Sequence, residues 1–134
     1  MKSIYLVRHG EVHNPNQIIY GNLPGFRLSE NGRLQIQKVS YLLYNIAPNS
    51  IIYSSPLQRA IESANIIAEK FNVDFVIDQN LKETNIGVYE GKKFIDLPKD
   101  YINENGIYTE IESAASLRKR MLKWVDKIST QEIE

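Results

Sequence analysis

Ile51-Ile52-Tyr53-Ser54-Ser55-Pro56-Leu57-Gln58-Arg59-Ala60 is the stretch on which the fold turns. Its first three residues are β-branched or aromatic, the pattern of a short buried strand. Ser55 followed by Pro56 then reads as a helix start, since proline lacks the N–H that the first helical position leaves unsatisfied anyway. Beyond it, Leu57, Ala60, Ile61, Ala64, Ile67, Ala68 and Phe71 form the best 3.6-residue stripe in the chain and predict a helix over 56–71.

Toward the N-terminus, Ile4 to Val7 reads as another buried strand, stopped at Arg8-His9-Gly10. Residues 10–32 are rich in Gly, Asn and Pro and predict a long loop, which in a compact domain is usually functional. Ser29 is placed to cap a helix with Ile36, Val39, Leu43 and Ile46 on one face, and Pro48 ends it. Toward the C-terminus, Val73 to Ile77 reads as a third strand. Residues 78–111, with Gly87, Gly91, Pro98 and Gly106, read as irregular. A last helix is predicted from about Ser113 to Ile128, with Leu117, Met121, Trp124, Val125 and Ile128 inward. Strands alternating with helices argue for an α/β fold, a three-layer α/β/α sandwich with a mostly parallel central sheet. Without repeats or linkers, residues 1–134 are expected to form one domain.

Composition narrows the function. With 43% hydrophobic and 24% charged residues, the chain is that of an ordinary globular protein. Sixteen basic residues balance sixteen acidic ones, so no global field draws it to nucleic acid or to an anionic membrane. The absence of cysteine removes disulfides, zinc–thiolate sites and thiol catalysis together. No signal peptide or spanning segment is legible, and a cytoplasmic location is expected.

Ligands of open α/β sheets bind beyond the carboxyl ends of the strands. Two such ends are legible, one presenting Arg8 and His9, the other Ser54, Ser55 and Arg59. A helix start favours an anion, and a guanidinium can grip two phosphate oxygens at once. The combination predicts a phosphate pocket holding an imidazole, which acts as a donor to the phosphate or as a nucleophile toward phosphorus. His9 and His13, four residues apart, also resemble half of a zinc site. Gly10 argues against the helix such a site needs, and no third ligand suggests itself.

The block Leu6-Val7-Arg8-His9-Gly10-Glu11 resembles the signature of the histidine phosphatase (phosphoglycerate mutase-like) superfamily. Tyr53-Ser54-Ser55-Pro56-Leu57-Gln58-Arg59-Ala60 resembles its second block, and Leu81-Lys82-Glu83 with Gly87-Val88-Tyr89-Glu90-Gly91 its third. The resemblance implies a phosphomonoester phosphatase without cofactor or metal. In it His9 attacks phosphorus, Arg8, Arg59 and Asn14 hold the phosphate oxygens, and Glu83 protonates the leaving oxygen. Tyr20 and Gly21 are further substrate contacts. The partner is then a small phosphorylated substrate or phosphate itself.

The family also places a second catalytic histidine after one more strand, and this chain holds only His9 and His13. The expectation is a domain incomplete at its C-terminal end, with reduced turnover and self-association covering an open sheet edge. Two alternatives stay open: a module that binds a phosphorylated ligand without turning it over, and a mutase-type phosphotransferase. Glu62, Glu69 and Glu90 compete with Glu83 for the acid's role on sequence alone.

Overall fold

The computed structural model describes residues 3–99 and 111–130. The chain divides into two compact units. One comprises Val7–Asn16 and Leu23–Lys82; the other comprises Met1–Leu6, Gln17–Asn22 and Glu83–Glu134.

The unit formed by Val7–Asn16 and Leu23–Lys82 holds helix α1 (Glu30–Ile46), strand β1 (Ile52–Ser54), helix α2 (Gln58–Phe71) and strand β2 (Phe75–Ile77). β1 and β2 pair in parallel, Ile52 opposite Phe75 and Ser54 opposite Ile77. With α2 as the crossover this is a βαβ unit, as the alternation of elements predicts. Ser29 caps α1 as expected, its Oγ accepting from the Gly32 N–H at 3.0 Å. The helix ends at Ile46 because Pro48 disfavours helical geometry at Ala47, whose φ is −150°.

The core of this unit is Leu28, Ile36, Ile67 and Phe71, with Leu43, Ile52 and Ile66 packed against it. Burying each of the larger members contributes about 1.5–3 kcal/mol. Tyr44 meets Phe71 edge to face at 5.4 Å. α2 closes on Asn72 in the left-handed region (φ 57°), which returns its N–H to the last turn. That turn occupies Val73 and Asp74, so β2 begins later than the Val73 the sequence suggests.

Three expectations need correction. Residues Ile4–Val7 form no strand and are exposed, Leu6 at 84%. The run is apolar, but no described segment pairs with it, and an apolar pattern alone does not make a strand. Pro56 is not the first helical residue: α2 begins at Gln58, and its N-cap is Leu57, without a side-chain cap. Ser55 instead turns inward on the approach, its Oγ accepting from the Leu57 N–H at 3.4 Å. Ile46, expected inward on α1, is 53% exposed because it sits in the last turn, beyond the reach of the core.

In the other unit Ile19, Ile86 and Ile111 form the core, with Tyr89 and Leu97 against it. Residues 17–19 pair with 91–94: the Ile19 N–H donates to the Lys92 carbonyl at 2.7 Å, and the Gly91 N–H to the Ile19 carbonyl at 2.8 Å. The irregular stretch contains single 3-10 turns at Gln79–Leu81, Gly87–Tyr89 and Phe94–Asp96, the first of them in the βαβ unit; Gly106 lies outside the described residues. Helix α3 (Ala114–Thr130) starts beside Ser113, whose Oγ accepts from the Ser116 N–H at 3.1 Å. Its inward face follows the predicted stripe, with Trp124 buried and Leu117, Met121, Val125 and Ile128 half-buried. Glu112 accepts from Arg120 Nη2 at 2.8 Å and from the Asn85 N–H at 3.2 Å. Burial pushes the Glu112 carboxyl up, and these two partners more than reverse it, leaving it below its ordinary 4.5. No helix among the described residues is long and apolar enough to cross a membrane.

Candidate functional site

The imidazole of His9 is half-buried. Its Nδ1 lies 2.8 Å from the carbonyl oxygen of Gly10. A carbonyl can only accept, so Nδ1 carries the proton, and the neutral ring then holds its lone pair on Nε2. The ring is thereby set in the tautomer that a nitrogen nucleophile needs.

Gly10 is itself fixed. Its N–H donates to Ser63 Oγ at 3.3 Å, and that hydroxyl donates to the Arg59 carbonyl at 2.7 Å. Two hydrogen bonds thus tie the peptide after His9 to the turn of α2 that carries Arg59. A side chain at Gly10 would run into the backbone of Gly32, and one at Gly32 into the backbone of Glu11. Both glycines are therefore required by close approach, where the opening loop lies on the first turn of α1. Glu11 completes the clamp. Its carboxylate accepts from Ser29 Oγ and Asn31 Nδ2, its carbonyl accepts from the Ser29 N–H, and its own N–H donates to Gln35 Oε1. The bonds from Ser29 and Asn31 hold the Glu11 carboxyl below its ordinary value.

Arg59 is only 2% exposed and, with Ile36, is among the largest fully buried side chains. Full burial of an arginine is rare. It stands on the second residue of α2, on the row that continues through Ser63 and Ile67. The buried face of this helix is therefore polar in its first half (Arg59, Ser63) and apolar in its second (Ala64, Ile67, Ala68, Phe71). Arg8, by contrast, is exposed, and Asn14 is half-buried in the same opening loop. Ser54, at the end of β1, is buried and turns its hydroxyl to the Ser55 carbonyl at 2.8 Å. His13 is exposed, and its backbone N–H donates to the Arg27 carbonyl at 2.9 Å.

Tyr20, Gly21 and Glu83 belong to the other unit. Tyr20 is half-buried, edge to face with Phe94 at 6.5 Å, and Gly21 is buried with φ +40°. Glu83 is exposed, its Oε1 accepting from the Thr84 N–H at 2.9 Å. Asn22 brings these residues together, its Nδ2 donating to the Glu83 carbonyl at 3.1 Å.

The rival glutamates have other work. Glu62 accepts from the Leu28 N–H at 3.0 Å, from Arg33 Nη2 at 3.0 Å and from Gln58 Nε2 at 2.9 Å, which ties loop, α1 and α2 together. Glu69 accepts from Asn65 Nδ2 at 2.7 Å, and Glu90 from the Asn22 N–H at 2.8 Å. Ser63, Gly32 and Asn22 were not legible as site residues. Ser63 had one signal, a polar residue on the inward stripe of α2 four residues after Arg59.

The family model described as the histidine phosphatase superfamily (branch 1) matches residues 4–134. The chain is 33% identical over 135 aligned positions to the 2,3-bisphosphoglycerate-dependent phosphoglycerate mutase of Thermoplasma acidophilum, covering 92% of this chain and 64% of that protein. An uncharacterized protein of Mycobacterium tuberculosis is 42% identical over 90 residues, covering 67% of this chain and 44% of its own. Among solved structures, a mycobacterial glucosyl-3-phosphoglycerate phosphatase in complex with VO3 superposes with a TM-score of 0.81 at 26% identity, covering 94% of this chain and 66% of that one. The chain thus spans 44–66% of the length of these three proteins. The likeness bears out the α/β fold expected from the alternating elements and the phosphoglycerate mutase-like form that the family resemblance implies.

Proposed function

The chain belongs to the histidine phosphatase superfamily, and from that membership we propose that it hydrolyses small phosphomonoesters through a phosphohistidine at His9. The observation that carries the reading is the hydrogen bond from His9 Nδ1 to the Gly10 carbonyl, which leaves Nε2 as the basic nitrogen. In the first step Nε2 bonds to phosphorus as the ester P–O bond breaks, and the carboxyl of Glu83 gives its proton to the departing oxygen. In the second, water attacks phosphorus, the P–N bond breaks, and Glu83 takes the water's proton. Arg8, Arg59 and Asn14 bind the phosphoryl oxygens. Stabilisation of that charge is the largest part of catalysis in phosphoryl transfer, and no step calls for a metal. Tyr20 and Gly21 contact the part of the substrate that leaves.

A radiolabelled phosphomonoester tests this. Rapid quenching in alkali should trap label on the wild-type chain that is lost in acid, as a phosphohistidine requires, and His9→Ala should carry none. Unchanged hydrolysis in His9→Ala would remove the nucleophile. Saturable binding of phosphate without labelling would point to a binding module. Label passing to a second alcohol in preference to water would point to mutase-type transfer.

A further inference from the structure

We propose that Asn22, anchored by Glu90, is a positioning residue for the proton donor Glu83; this rests on the hydrolase reading above and adds to it. Residues 17–19 are held along 91–94 by backbone pairing. Where that pairing ends, Glu90 Oε1 accepts the Asn22 N–H at 2.8 Å. Gly21 suits this reach: its φ of +40° favours glycine, and a side chain there would crowd the Glu90 carboxylate and Ile86. With its backbone held, Asn22 directs Nδ2 to the Glu83 carbonyl at 3.1 Å. That carbonyl can only accept, which fixes the amide with its nitrogen toward Glu83. The amide oxygen is buried, with no hydrogen-bond partner among the described residues, and so does not compete in setting this orientation.

The result is a single brace. Tyr20 and Gly21, which touch the leaving part of the substrate, and Glu83, which protonates it, are joined through one side chain. The Glu83 backbone is held by Asn22 at its carbonyl, while its carboxylate rests on the Thr84 N–H at 2.9 Å. A general acid acts only within hydrogen-bond reach of its target, and a displacement of about 1 Å can cost 10²-fold. The anchor also separates the two glutamates of this segment. Glu90 Oε1 holds the Asn22 backbone, while Glu83 is held from Asn22 through its own carbonyl.

Leaving-group dependence tests the brace, because an acid matters for a poor leaving group and hardly at all for a good one. Glycerol 2-phosphate and 2,4-dinitrophenyl phosphate serve as the pair. Asn22→Ala should lower kcat/KM for the alkyl ester by about 10- to 100-fold and leave that for the dinitrophenyl ester within about threefold, because kcat/KM reports phosphorylation of His9 and not the second step, which both esters share and in which Glu83 acts as base. Glu90→Ala should behave alike, while Glu90→Gln, which keeps an acceptor for the Asn22 N–H, should restore the alkyl rate. Combined with Glu83→Gln, Asn22→Ala should add no further loss. An equal fall on both esters, or none on either, overturns the positioning role while leaving the hydrolase reading intact. A wild-type chain that releases phosphate from neither ester overturns both.

Discussion

Ser63→Ala isolates the tether between the nucleophile's peptide and the turn of α2 that carries Arg59. In the wild type the Ser63 hydroxyl accepts from the Gly10 N–H and donates to the Arg59 carbonyl. The two losses are unequal. The Arg59 carbonyl keeps the ordinary helical partner four residues on, so losing the hydroxyl costs it little. The Gly10 N–H sits in a buried residue, and losing its acceptor costs about 1–3 kcal/mol. The side chain itself is small and buried, so alanine fits without a new cavity. Urea denaturation should show that loss with an unchanged slope, since the surface exposed on unfolding is the same. Amide exchange gives the local reading. Every 1.4 kcal/mol is tenfold, so protection of the Gly10 amide should fall by about 5- to 150-fold. Amides in the second half of α2 should follow only the global change. If Gly10 exchange is unaltered while stability falls, the hydroxyl acts through some contact other than this tether. If neither moves, the tether is not part of the folded state.

Two other predictions rest on separate contacts. Glu112→Gln should be less stable than the wild type at pH 7. Because the folded carboxyl lies below its ordinary 4.5, its contribution is whole above that value and is lost as pH falls through the lowered folded value. Thermal melts should therefore show the gap closing toward pH 3, and a gap equal at pH 7 and pH 3 would contradict the assignment. Gly32→Ala sets two effects against each other: alanine gains up to about 1 kcal/mol of helix propensity, while a Cβ drives into the Glu11 backbone, an overpacking worth about 1–3 kcal/mol. Glu11 is bonded through both its N–H and its carbonyl and has little freedom to yield, so a net loss of stability is expected in chemical denaturation, and a gain would refute the close approach.

What was legible in the sequence was periodic or carried by short-range turn chemistry. The stripes of α2 and α3 repeat every 3.6 residues, Ser29 caps the helix it precedes, and Pro48 stops that helix where a missing N–H must. The parallel pairing of 52–54 with 75–77 followed from the helix between them. What was illegible depended on the partner. Ile4–Val7 has the composition of a strand, yet a strand is a paired object, and no described segment pairs with it. Ser55-Pro56 looked like a helix start because the pair suits one, but Ser55 bonds the Leu57 N–H and delays the helix to Gln58. Within the candidate site, the place of Arg59 in the first turn of the helix after β1 was readable, whereas the strand expected before His9 does not form. Ser63 and Asn22 were not readable, since each matters only through a backbone group distant in sequence, and no local pattern announces such a bond.

The glutamates show the same distinction in sharper form. Glu62, Glu69, Glu83 and Glu90 are chemically identical, and nothing in their immediate sequence ranks them for proton transfer. Their hydrogen-bond partners differ. Glu62 receives three donors from two helices and a loop and so joins those elements. Glu90 receives the Asn22 N–H and so holds that backbone. Glu69 faces a neighbouring asparagine one turn back along its own helix, at an exposed position. Glu83 is exposed, its Oε1 accepts the N–H of its own neighbour Thr84, and the bond from Asn22 reaches its carbonyl. The brace from Asn22 thus reaches the backbone of Glu83 and does not pass through the carboxyl to which we assign the proton transfer.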